Sequence, residues 1–135
     1  TPIICVVIGE GGSGGALGIG VGDRVAILQH AYYSVISPEG CAGILWKSHD
    51  YAEKAAQALR ITSKHLFELG VVDDVVEEPL GGAHCDHHQM AGRLKMYLLK
   101  TVRELLKKST ETLLADRYDK FRRIGPFLEE ELPAS

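Results

Sequence analysis

The run Ile3-Ile4-Cys5-Val6-Val7-Ile8-Gly9-Glu10-Gly11-Gly12-Ser13-Gly14-Gly15-Ala16-Leu17-Gly18 decides how the chain is read. Residues 3–8 are apolar with no polar alternation, which predicts a central strand buried on both faces. Glycine then fills six of the ten positions 9–18, and a short helix is expected to begin inside that run and reach Gly20. A glycine turn between a buried strand and a helix brings main-chain N–H groups close to a ligand, because no Cβ stands in the way. The helix start adds unpaired donors and partial positive charge. Such a turn can bind phosphate or hold a developing oxyanion.

Three motifs overlap here. Gly9-x-Gly11-x-x-Gly14 fits the dinucleotide pattern, but that reading needs an acid about 20 residues on, where Leu28, Gln29 and His30 stand. Gly11-x-Ser13-x-Gly15 fits a nucleophile elbow, with Asp73 and His84 following in hydrolase order. The third is an oxyanion hole built from consecutive glycine amides, which alone explains why the turn is almost entirely glycine. The glycines could equally serve only close strand–helix packing.

Working outward, Arg24–Leu28 and 32–36 read as strands, and Ser37-Pro38-Glu39 as a helix start with cap, first-turn proline and dipole partner. Helical stretches follow near 50–60 and 62–69, closed by Gly70; 71–76 reads as a strand. A long helix is expected from about Asp86 to Lys107, with Met90, Leu94, Tyr97 or Leu98, Thr101 or Val102, and Leu105 on one stripe. Ser109 or Thr110 caps a last helix to about Arg123, and the acidic residues 125–135 are expected to be a disordered tail.

The bulk numbers exclude several classes. With 135 residues and 45% hydrophobic content the chain suits one globular domain. A net charge of −3, with acids and bases interspersed, gives no basic nucleic-acid surface. The first apolar run is too short to span a membrane. No secretory or transit segment opens the chain, and a buried strand is expected to begin at once, so the chain reads as a piece of a longer protein. Cys5, Cys41 and Cys85 are odd in number and far apart, which suits a reducing cytoplasm or plastid stroma.

The glycine turn does not stand alone. Gly20-Val21-Gly22-Asp23, Tyr33-Ser34-Val35-Ile36-Ser37-Pro38-Glu39-Gly40-Cys41-Ala42, Ile44-Leu45-Trp46-Lys47 and Glu78-Pro79-Leu80-Gly81-Gly82-Ala83-His84 follow it in order. Over about residues 2–123 this resembles the later part of the carboxyltransferase α subunits of multi-subunit bacterial and plastid acetyl-CoA carboxylases. The resemblance implies a partial crotonase-like ββα superhelix (α/β), with residues 1–108 belonging to the carboxyltransferase domain and 109–124 forming a terminal helix. It implies carboxyl transfer from biotin, held on the biotin carboxyl carrier protein, to acetyl-CoA, giving malonyl-CoA for fatty-acid synthesis. It implies a β-subunit partner in an α2β2 assembly, with the site between subunits.

Within that resemblance, Gly14 and Gly15 match the oxyanion-hole pair, and Gly11 and Gly12 are further substrate-binding candidates. Another crotonase-like acyl-CoA enzyme, a hydratase or hydrolase, and an inactive partner-binding fragment stay open as alternatives. Glu39 is expected to be a dipole partner, and Glu10 is either an interface ion-pair partner or solvated. His84-Cys85-Asp86-His87-His88 has the wrong spacing for a zinc finger, so no metal is expected in this chain. No P-loop occurs. Trp46 and Tyr33 are expected in the core or an interface, Lys47 on the surface, and the Lys and Arg residues of 93–123 on solvated helix faces.

Overall fold

The structure is a computed structural model that describes residues 1–125. Its elements are β1 (Ile4–Val7), β2 (Glu10–Gly12), α1 (Ser13–Ile19), β3 (Arg24–Leu28), β4 (Tyr32–Ser34), α2 (Pro38–Trp46), a 3₁₀ turn (His49–Tyr51), α3 (Ala52–Leu59), α4 (Ser63–Glu68), β5 (Asp74–Val76), α5 (His87–Leu105) and α6 (Thr110–Arg123). This is a mixed α/β arrangement, as expected. The acidic segment lies, beyond Gly125, outside the described residues.

The strands make two small parallel sheets. One has the order β1-β3-β5, the other pairs β2 with β4. In the first, Ile4 pairs with Arg24 and Ala26 with Asp74. In the second, Glu10, Gly11 and Gly12 face Tyr32, Tyr33 and Ser34.

Two expectations are corrected here. β1 is an edge strand of its sheet and is only partly buried along its length. The central position belongs to β3, whose Val25, Ala26, Ile27 and Leu28 are buried. A strand covered on both faces is apolar on both, and the consecutive buried residues Val25 to Leu28 of β3 meet that condition within the described residues. The second correction is β2, a strand where only a turn was expected.

Boundaries also shift for visible reasons. The stretch 32–36 is strand only to Ser34, whose Oγ donates to the Ile36 carbonyl at 2.7 Å and bends the chain away. The stretch 71–76 is strand only from Asp74. Before it, the Val71 and Val72 amides turn back to the Leu66 carbonyl and finish α4. Gly70, at φ +69°, makes that reversal possible.

The main core is β3 with Ala31, Leu66, Val72, Val76 and Met90. Met90, Thr101 and Leu105 bury one stripe of α5, as the period implied, although Val102 beside it is exposed. A second cluster, Cys41, Ala42 and Ala55 with Trp46 at its border, joins α2 to α3. Side-chain caps begin three helices. The Ser37 oxygen accepts from the Gly40 amide, Asp86 from Gln89, and Ser109 from Thr112.

Candidate functional site: the β2–α1 turn

β2 runs straight into α1, and the change of direction falls on one residue. Gly12 is extended, at φ −118° and ψ 157°, whereas Ser13 sits at φ +65°. Gly14 and Gly15 are then the second and third residues of the helix. A helix offers no internal carbonyl to amides in its first turn. Among the described residues no other backbone or side-chain acceptor takes the Gly14 or Gly15 N–H.

Space lies beside them. A Cβ built on Gly12 or Gly14 meets nothing within 4 Å, and one on Gly15 meets only the Ser13 hydroxyl at 3.9 Å. Gly11 is different. A Cβ there would lie 2.8 Å from the Tyr33 ring and 2.9 Å from Val7. Gly11 is therefore glycine for packing between the sheets, while Gly12, Gly14 and Gly15 border open space. An apolar cleft of about 620 Å³ runs along β1 and reaches Glu10, Gly11, Ala16 and Gly20.

The turn is held from behind. The Tyr33 hydroxyl donates to the Ala16 carbonyl at 3.0 Å, and the Cys5 thiol to the Ile19 carbonyl at 3.2 Å. Gly20 leaves room for the tyrosine, since a Cβ there would collide with its hydroxyl. Burial pushes the Tyr33 phenol above its ordinary value, with the neighbouring Cys5 adding to the shift. The Cys5 thiol is likewise raised by burial, against the opposing pull of Lys120 and Arg117. Both groups stay protonated near neutral pH and keep their donor roles. Tyr33 was expected as core or interface; its hydroxyl is a clamp that sequence periodicity does not reveal.

Other candidates fall elsewhere. Asp73 accepts from the Val25 amide at 2.7 Å and from Lys120 at 2.9 Å. His84 lies 3.5 Å from the Cys85 sulfur. Neither bonds to Ser13, so the structure does not assemble the Ser13–Asp73–His84 triad. Glu10 is exposed and faces Tyr32 across the β2–β4 pair. Desolvation raises the Tyr32 phenol, and Glu10 and, more weakly, Glu39 push it the same way. Glu39 occupies the first turn of α2, as expected of a dipole partner. Trp46 packs near Tyr51 and under the Lys54 ammonium, and Lys47 is exposed. His87 and His88 lie ring to ring, and among the described residues no three His, Cys, Asp or Glu side chains converge.

One expectation about charge fails. Arg117 and Lys120 are not on a solvated face: their side chains are 18% and 19% exposed and are paired with Asp23 and Asp73. Both sit on one face of α6, three residues apart, but that spacing does not say what the face meets.

The fold and turn together define an α/β protein with an open pair of main-chain donors at a strand–helix junction. The chain belongs to the acetyl co-enzyme A carboxylase carboxyltransferase-like family, whose pattern matches residues 1–125. It is 74% identical over 130 residues to the acetyl-coenzyme A carboxylase carboxyl transferase subunit alpha of Rhodopirellula baltica, covering 96% of this chain and 41% of that one. The subunit of the same name from Methylococcus capsulatus is 60% identical over 129 residues, covering 96% and 40%. That from Chlorobium limicola is 53% identical over 124 residues, covering 92% and 37%. The chain thus spans about two fifths of the length of the curated relatives it matches. No helix among the described residues is long and apolar enough to cross a membrane.

Proposed function

We propose that the chain serves in carboxyl transfer from carboxybiotin to acetyl-CoA, forming malonyl-CoA for fatty-acid synthesis in the cytoplasm. It does so as part of a carboxyltransferase α subunit with a crotonase-like fold. Its partners in this reading are the β subunit, in an α2β2 assembly, and the biotin carboxyl carrier protein. The names of the relatives support the activity. The observation that carries the site is the adjacent, unpaired Gly14 and Gly15 amides beside open space.

Carboxyl transfer develops negative charge on two oxygens, the ureido oxygen of biotin and the thioester oxygen of the acetyl group. Biotin on its carrier supplies the CO2 and a ureido nitrogen able to take the α-proton. No side-chain base is then needed from this chain, in keeping with a turn of glycines. The open space at Gly12 and Gly14 leaves the main chain free to be approached closely. The Gly14 and Gly15 N–H groups donate to one of the two oxygens, and the partial positive charge of the α1 start favours the anion. The β subunit supplies a second pair for the other. Gly12 shapes the approach, while Gly11 acts by letting the β2–β4 sheet close on Tyr33.

Gly15→Pro removes one donor from the first turn of α1, where the amide has no partner within the helix. In the full-length subunit assembled with its partner, carboxylation of free biotin from malonyl-CoA should fall about 10²–10³-fold. Undiminished turnover by the folded, assembled variant overturns the reading.

A further inference from the structure

α1 is a weak helix. It has seven residues, three of them glycine, and none is buried. A helix this short is not stable alone in water, and each glycine costs about 0.5–1 kcal/mol relative to alanine. Its position must therefore be imposed from outside. Tyr33 and Cys5 hold two of its carbonyls. Its carboxyl end is tied to the turn that follows, where Gly20 donates to the Ala16 carbonyl at 2.9 Å and Gly22 to the Gly20 carbonyl at 3.1 Å. Gly22 is wedged in place, since a Cβ there would meet the Cys5 sulfur at 2.9 Å and the carbonyls of Ile3 and Arg24 at 3.1 Å.

α6 clamps that turn. Arg117 forks onto Asp23, with Nε to Oδ1 at 3.0 Å and Nη2 to Oδ2 at 2.9 Å. Asp23 Oδ2 also accepts the Ile3 amide at 2.6 Å, and the Asp23 side chain is only 3% exposed. Lys120 Nζ donates to the Gly22 carbonyl at 2.8 Å, to the Asp23 carbonyl at 3.3 Å and to Asp73 at 2.9 Å. Asp23 is the buried member of these partly buried pairs, so losing Arg117 would strand its charge. They also resist screening by salt.

We propose that Arg117 and Lys120 are positioning residues for the glycine-amide site: they lock the Gly22–Asp23 turn, and through it the carboxyl end of α1 and the direction of the Gly14 and Gly15 N–H groups. This rests on the reading of those amides as the oxyanion donors. α6 thus has a function beyond packing, although it touches no reacting atom.

The test uses the full-length subunit assembled with its partner, carrying Arg117→Gln, Arg117→Lys or Lys120→Met. Amide hydrogen exchange is followed over residues 16–20 and over α6. Rates of free-biotin carboxylation from malonyl-CoA are measured alongside. Arg117→Gln should speed exchange at 16–20 about tenfold or more and lower kcat about tenfold, with KM for malonyl-CoA changed less than about twofold. Arg117→Lys, which keeps a charge facing Asp23 but loses the fork, should fall between and serves if the glutamine variant does not fold. Faster exchange confined to α6, or an unchanged kcat, overturns the proposal. If Gly15→Pro is fully active, the amide reading fails, and exchange at 16–20 still reports separately whether the latch holds α1.

Discussion

Ser13 bears the sharpest conformational demand in the site, because a non-glycine residue at φ +65° pays a steric penalty of about 1–2 kcal/mol. Ser13→Gly should therefore raise stability by up to about 1 kcal/mol in urea denaturation. Ser13→Ala should keep most of the carboxyltransferase activity, since the proposed chemistry uses main-chain donors; a folded but inactive Ser13→Ala enzyme would restore the hydrolase alternative. Gly11 makes the opposite demand. Gly11→Ala drives a methyl group into Tyr33 and Val7 and should cost about 1–3 kcal/mol, seen as a lower urea midpoint. The motif was visible in the sequence, yet the division of labour within it was not. Which glycine meets Tyr33 and which meets open space depends on β4, which lies some 20 residues along the chain.

At the scale of elements, what could be read in the sequence followed local physics. Helix caps at Ser37 and Ser109, the α5 stripe and the span of β3 all follow from short-range chemistry or periodicity. β2 escaped because Glu10-Gly11-Gly12 has no strand-forming side chains; its pairing is fixed by Tyr32–Ser34 opposite. β1 looked central because edge and centre give the same apolar run, and neighbours alone tell them apart. The burial of Arg117 and Lys120 was hidden because charge patterning cannot say which helix face finds a buried aspartate. α5 is fastened to β5 by the Tyr97 hydroxyl, which donates to Asp74 at 2.9 Å. Desolvation, then the Asp74 carboxylate, raises the Tyr97 phenol well above its usual value of 10.0. The unfolded state releases that proton first, so the stabilisation is complete below about pH 10 and fades as pH rises above it. Tyr97→Phe should flatten the alkaline fall of stability measured by chemical denaturation at pH 9–11; an unchanged slope would remove Tyr97 as its source.

Seen as a whole, the described chain leaves much apolar side chain in water. Ile8, Leu17, Ile19, Ile44 and Leu45 each keep more than half of their surface exposed. The isolated 135-residue chain should therefore bind a hydrophobic dye and associate as its concentration rises, measurable by sedimentation velocity; a monomer blind to the dye would contradict this. It should also lack carboxyl transfer on its own, because the proposed second donor pair comes from the β subunit. Activity of the isolated chain towards free biotin and malonyl-CoA would rule that dependence out.

Among the described residues every pairing between the named strands is parallel, with one isolated antiparallel bridge from Tyr32 to Thr62, and no hairpin joins neighbouring strands. β3 meets β5 only after three helices have been laid down between them. Nothing local can therefore seed the sheets during refolding. The chain must close long loops before any ladder forms, which slows the approach to the native state and leaves strand edges bare for longer. Substitutions in the connecting helices should then alter how fast the protein matures, even where the finished turn around Gly14 and Gly15 is untouched.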